Sequence, residues 1–299
     1  MYLRAISLGY AVPDGNFEAE AHSVFQSALN LHLNSEDNLL TLIASSEGDL
    51  PQGIRLDTPE GFSFENFRVG DLMICRDEIL VFEKDSLTIQ LSEARRWKCD
   101  LPALRFDPAD PAVAAAWSFV WEVLNARQRL SEAEIVAQEL LGKSAREGVA
   151  HRAGKAIRTL LSAARRYDLT DSSAQSLIGL GSGLTPSGDD LLSGYLAGLW
   201  CIVQGESKRA QFISSLGETI IHLSSKTNDI SRTYLYHAAQ GQVSSRLADL
   251  VEGICRGENP KRLNELAEAA FDVGHTSGTD TVTGLLIGLG AWIRVEFPE

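Results

Sequence analysis

Along the first hundred residues the apolar positions fall in short β-type runs. Residues 38–44, 53–56, 71–74, 79–83 and 86–91 are such runs, and Gly, Pro, Asp and Asn separate them. That spacing is typical of a small barrel or sandwich. Residues 22–33 fit either a helix or a strand. Trp97 follows this region and is expected to close a core. At Asp107-Pro-Ala-Asp-Pro111 two prolines and two aspartates mark a boundary and a helix start. Helical periodicity dominates from there on, over 113–125, 131–141, 145–166, 189–203, 210–224, 230–240, 244–255, 261–271 and 280–294. The expected fold class is α+β. A β-rich N-terminal domain, a small barrel or sandwich over 1–106, precedes a larger all-helical domain over 107–299. No low-complexity tract or long linker interrupts it.

One segment breaks the amphipathic rhythm. Gly179-Leu-Gly-Ser-Gly-Leu-Thr-Pro-Ser-Gly-Asp-Asp190 sets three alternating glycines before Thr-Pro-Ser-Gly and two adjacent carboxylates. An apolar helical run, 191–203, follows at once. Glycine permits positive φ and close approach of a ligand to backbone. Thr185 and Ser187 supply hydroxyls, and a helix start supplies N–H groups and a positive dipole end. Such a loop suits a small anion.

The block recurs. Ser187-Gly-Asp-Asp190, with Gly194 and Gly198 behind it, reappears as Ser277-Gly-Thr-Asp280 with Gly284 and Gly288, each pair offset by 90 positions. The lead-ins also match, Gly183-Leu-Thr-Pro-Ser against Gly274-His-Thr-Ser. The glycine ladders permit close helix packing. If the two helices run parallel, their N-termini and the hydroxyls of Thr185, Ser187, Thr276 and Ser277 converge on one point; antiparallel packing separates the loops. A plainer account makes each Ser-x-x-Asp a capping box, with Asp190 and Asp280 only stabilising helix ends. Capping alone requires neither the glycine-rich lead-in, nor Asp189, nor the repetition.

Composition narrows the chemistry. The net charge of −13 argues against a general nucleic-acid binder. The longest apolar runs are too short for a membrane helix, and the N-terminus is too polar for a secretory signal. A cytoplasmic location is expected. Cys75, Cys99, Cys201 and Cys255 are widely spaced, lack zinc spacing, and read as reduced, packed thiols. Asp189 stands where a P-loop needs lysine, and Gly179-x-Gly181-x-Gly183 is not a dinucleotide fingerprint. No motif demands a cofactor. Mg²⁺ is the one that Asp189, Asp190 and Asp280 could hold, although adjacent helical aspartates point about 100° apart. His275 could move a proton or polarise a carbonyl near neutral pH. Lys226-Thr-Asn-Asp-Ile-Ser-Arg-Thr-Tyr234 opens another helix with polar residues. There Lys226 or Arg232 could balance a bound anion, beside Thr227 and Ser231. The basic face of His151, Arg152, Lys155 and Arg158 reads as surface.

The motif over 179–190, with the later Gly-His-Thr-Ser-Gly-x-Asp over 274–280, resembles the AllH family. Lesser echoes are His22-Ser-Val-Phe25, Gly53-Ile-Arg-Leu-Asp57, Ala94-x-x-Trp97 and Thr227-x-x-x-Ser231. The resemblance implies a subunit of oxamate carbamoyltransferase in ureide (allantoin) catabolism, exchanging oxalurate and phosphate with oxamate and carbamoyl phosphate. It further implies a hetero-oligomer with other pathway subunits and a small anionic substrate. The catalytic candidates are then Asp189, Asp190, His275 and Asp280. The substrate-binding candidates are Gly181, Gly183, Thr185, Ser187, Gly188, Lys226, Thr227, Ser231, Arg232, Thr276, Ser277 and Gly278. The common carbamoyltransferase fold uses a Ser-x-Arg-Thr-Arg phosphate loop, and this chain has only Ser231-Arg-Thr-Tyr234. Two other classes compete. One is a non-catalytic partner subunit. The other is a Mg²⁺-dependent hydrolase of the ADP-ribosylglycohydrolase type, whose paired-aspartate strings are here reduced to Thr279-Asp-Thr281.

Overall fold

A computed structural model describes residues 1–33, 39–82, 87–130, 135–141, 148–169 and 172–293. The chain divides into two compact units, Met1–Cys99 and Asp100–Glu299. Residues 38, 83, 86, 131–134, 145–147 and 294, all within runs expected to be regular, lie outside the described residues.

The first unit is a barrel. Its strands are β1 (Tyr2–Gly9), β2 (Phe17–Val24), β3 (Ala28–Leu33), β4 (Leu39–Ile43), β5 (Gly53–Leu56), β6 (Leu72–Arg76), β7 (Ile79–Phe82), β8 (Thr88–Gln90) and β9 (Arg95–Trp97). The pairing order is β5-β4-β3-β2-β6-β7-β8-β1, and β1 returns to pair with β5, closing an eight-stranded ring. Closure leaves no free sheet edge in that ring. Residues 22–33 resolve into the β2–β3 hairpin, turned where the Phe25 N–H meets the Ala28 carbonyl at 2.8 Å.

β1 makes the closure by shifting partners along its length. Tyr2–Arg4 run parallel to β8, Ser7–Gly9 run parallel to β9, and the opposite edge pairs antiparallel with β5. A bulge between Ala5 and Ser7 turns Ser7 away from the phase that points Leu3 and Ala5 inward. Ser7 donates to buried Asp49, which also binds Arg95 at 2.5 Å and Arg55 at 3.3 Å. Alternate residues, among them Leu3, Ala19, Leu31, Leu42, Ile54, Met73, Leu80 and Ile89, fill the barrel core. Trp97 is half-buried on the added strand β9, so it does not plug that core as expected.

The second unit is helical. It contains α1 (Pro111–Leu130), α2 (Ala137–Leu141), α3 (Val149–Arg166), α4 (Ser172–Gln175), α5 (Ser187–Trp200), α6 (Ser207–Leu223), α7 (Asp229–Ala239), α8 (Ser245–Cys255), α9 (Pro260–Phe271) and α10 (Ser277–Leu289). Residues 100–106 belong with it. Leu101 and Phe106 are buried, and the Phe106 N–H meets the Cys201 carbonyl at 3.3 Å.

Helices α5 and α10 are buried on nearly every side. A helix that is apolar all round belongs in a core, and other helices surround this pair: α6 and α7 pack on α5, α1 and α9 on α10. The Trp117 indole of α1 donates to the Leu286 carbonyl of α10 at 3.1 Å. Among the described residues no helix is long and apolar enough to cross a membrane.

The two central helices run parallel. A Cβ added at Gly194 would lie 1.8 Å from the Thr281 carbonyl oxygen, and one at Gly284 would lie 2.0 Å from that of Leu191. Farther along, Gly198 faces the Leu285 carbonyl and Gly288 that of Tyr195. The contacts interchange under the 90-residue offset, so α5 and α10 are related by an approximate two-fold axis. The missing side chains let the backbones touch, which fixes both the spacing and the register of the pair.

Candidate functional site

Parallel packing brings the two repeated loops to one end of the pair. Thr185 Oγ1 lies 2.5 Å from Ser277 Oγ, joining the loop before α5 to the first turn of α10. Gly179, Gly181 and Gly183 have φ of 69°, 119° and 97°, values that favour glycine and let the loop curl over the start of α5. A Cβ at Gly183 would meet nothing within 4 Å, so this part of the loop borders open space.

The capping-box account is not what forms. Helix α5 is preceded by Pro186 and α10 by Thr276, and neither makes a side-chain cap bond. Each serine instead sits inside the first turn. The first-turn N–H groups are largely used by backbone: Gly188 bonds the Leu180 carbonyl at 2.7 Å, Gly278 that of Val273 at 2.9 Å, and Asp189 that of Pro186 at 2.9 Å. The aspartates are therefore released from capping.

Asp189 is a bracket. Its Oδ1 accepts the Gly179 N–H at 2.9 Å and its Oδ2 accepts the Thr227 hydroxyl at 2.5 Å. This ties together the loop, α5 and the entry to α7. Burial raises its pKa, while Thr227, Gly179 and Ser231 pull it down by favouring the charged form.

Asp190 is the group facing the loop junction. It is 8% exposed, and its Oδ2 has no hydrogen-bond partner among the described residues. Burial pushes its pKa well above the carboxylate range. The Ser277 and Thr185 hydroxyls pull it down, and the charges of Asp280 and Asp189 push it further up. Asp280, the two-fold counterpart of Asp190, is wholly buried in the first turn of α10. The position equivalent to Asp189 is Thr279, whose hydroxyl donates to the Thr276 carbonyl at 2.7 Å. The two halves of the site thus share one carboxyl each and differ in the second.

The remaining candidates spread around this centre. Ser187 and Ser231 are buried, and Thr276 and Ser277 are half-buried. Gly188 and Gly278 face inward: a Cβ would lie 2.1 Å from the Leu177 carbonyl oxygen and 2.3 Å from that of Ala270. Both allow close backbone packing at the helix starts. His275 is exposed in the loop before α10. Lys226 has an exposed side chain, and its backbone carbonyl approaches Gly179. Arg232 turns to Asp229, three residues earlier on its own helix. Among the described residues no cluster of His, Cys, Asp and Glu has the arrangement to hold a metal ion. Gly179 was not among the candidates, although its glycine-rich context was the signal. Its role as an N–H donor to Asp189 depends on a fold-back that spacing does not reveal.

These features define a two-unit protein, a closed β-barrel followed by a helical unit whose repeated glycine-led helix starts form one small polar site. The chain belongs to the AllH family. The family described as oxamate carbamoyltransferase subunit AllH matches residues 177–289, and the AllH family N-terminal domain matches residues 4–96. The first match begins just before the glycine loop and ends with α10; the second covers the barrel. No solved structure matches the chain significantly.

Proposed function

We propose that this chain is a carbamoyltransferase subunit that binds a small anionic ureide or carbamoyl phosphate where α5, α7 and α10 begin. The observation that carries this reading is the Thr185–Ser277 contact, which joins the two copies of the repeated motif into one site. Hydroxyl donors and glycine backbone lie at the mouth, and carboxyls lie beneath. The mouth suits the oxygens of a phosphate or carboxylate. The acids suit proton transfer at a nitrogen or oxygen of the carbamoyl group. The work belongs to ureide catabolism, in a complex with other subunits.

A thermal-shift titration with carbamoyl phosphate, phosphate and oxalurate tests this, run with and without Mg²⁺. Ligand at about 100 times its Kd adds about 2.7 kcal/mol, roughly 5–10 °C for a unit of this size. The expected result is a shift that Asp190→Ala removes. No shift with any of the three would overturn the reading.

A second reading has its own observation. Leu184 is 60% exposed and Val273 36% exposed, one on each repeated loop. Apolar residues on both lips suit the docking of another subunit over the mouth. In that case Leu184→Ser weakens capture of co-encoded subunits and leaves the free chain's stability unchanged.

A further inference from the structure

Resting on the reading just given, the geometry points to Asp190 as the group that recognises an N–H₂-bearing carboxamide or carbamoyl end of the ligand. The anionic end of the ligand is then turned outward to Thr185, Ser277 and the glycine loop. Two independent features support this orientation. First, the carboxyls lie inside and the hydroxyls and glycine loop outside. Asp190 and Asp280 are buried, whereas Thr185 and Ser277 are half-buried and the loop at Gly183 borders open space. An anion placed against Asp190 would lie next to Asp280 and Asp189, whose charges already act on that carboxyl. Second, Asp190 Oδ2 is a buried acceptor without a hydrogen-bond partner among the described residues. Such an atom is costly unless something donates to it, and an amide N–H₂ is a neutral donor that adds no charge.

Asp280 does not reach the mouth. It is wholly buried and acts on ligand only through Asp190, which makes it a positioning residue. Its charge pushes the Asp190 pKa up.

The discriminating probes are oxamate, with one carboxylate and one carboxamide, and oxalate, with two carboxylates. Calorimetric titration of the full chain should show oxamate binding at least about tenfold tighter than oxalate. Asp190→Asn should narrow that ratio to within about twofold. Asp280→Asn should leave oxamate bound and change how its affinity depends on pH, a response that loss of structure alone would not give. Oxalate binding as tightly as oxamate in the wild-type chain would overturn the inference and leave the anion site standing. An undiminished ratio in a folded Asp190→Asn variant would overturn it too. If oxamate, oxalate, phosphate and carbamoyl phosphate all fail to bind, the anion-site reading falls and takes this one with it.

Discussion

Thr185 Oγ1 and Ser277 Oγ are 2.5 Å apart, although the residues are 92 positions apart in the chain. Both hydroxyls also act on Asp190. The bond therefore joins two loops and orders the donors around one carboxyl. Thr185→Val and Ser277→Ala should each cost about 1 kcal/mol of stability. Because the residues touch, the double variant should cost less than the sum. Each single change should also weaken ligand binding. Additive losses measured by urea unfolding would mean that the contact does not form in solution.

The ladder glycines should be among the least replaceable residues in the chain. Gly194→Ala places a methyl 1.8 Å from the Thr281 carbonyl oxygen, and Gly284→Ala places one 2.0 Å from that of Leu191. Backbone must move to admit either, so a loss of about 3 kcal/mol or more is expected. Gly205→Ala is the control: its φ of 75° is strained for alanine but its surroundings are open, and it should cost about 1 kcal/mol. Equal midpoints for Gly194→Ala and the wild type would contradict the parallel packing.

Asp189 should behave as a structural bracket. Asp189→Ala leaves the Gly179 N–H and the Thr227 hydroxyl without their acceptor. A loss of about 2–4 kcal/mol is expected, since both bonds are charge-assisted. Thr227→Val should cost about 1–2 kcal/mol, and hydrogen exchange at Gly179 should accelerate in Asp189→Ala. Unchanged exchange would separate the loop from this aspartate.

The pH profile of stability should have two arms. Between the ordinary carboxylate value near 4 and its raised folded value, Asp190 keeps a proton that the unfolded chain has released. Its contribution is full at acid pH and is lost as pH rises through the raised value. Asp190→Asn should flatten that fall. His237 gives the opposite arm: burial lowers its pKa from 6.5 to about 4. The unfolded chain takes up a proton there first, so stability is full above pH 6.5 and is lost as pH falls towards 4. The loss amounts to about 3 kcal/mol. His237→Gln should remove it, and an unchanged acid slope in that variant would assign the slope to other groups.

Several elements were legible because their cause is local. Gly53–Leu56 is both the expected run and strand β5, and the four helical stretches between 210 and 271 lie within a few residues of α6 to α9. Alternation and 3.6-residue periodicity are properties of neighbouring residues, so they survive without knowledge of the fold. Strand β1 shows where this ends. Its partners β5, β8 and β9 lie 46 to 88 residues away in register pairs such as Ser7 with Arg55 and Leu8 with Arg96. Nothing within Tyr2–Gly9 announces that one strand will close a ring.

The site divides in the same way. By itself the sequence determined which residues are candidates for the chemistry: the glycines that admit positive φ, the hydroxyls, the carboxyls and their repetition at a spacing of 90. It also determined that two glycine ladders could let helices touch. Only the tertiary structure decided that those helices run parallel, that Asp189 is consumed by Gly179 and Thr227, and that Arg232 turns to Asp229. It alone decided that Gly188 and Gly278 pack inward while Asp190 keeps an oxygen without a hydrogen-bond partner among the described residues. The reason is physical. Side-chain chemistry and backbone freedom are fixed residue by residue. Burial, hydrogen-bond partners and the direction of a carboxyl depend on which distant backbone packs against it.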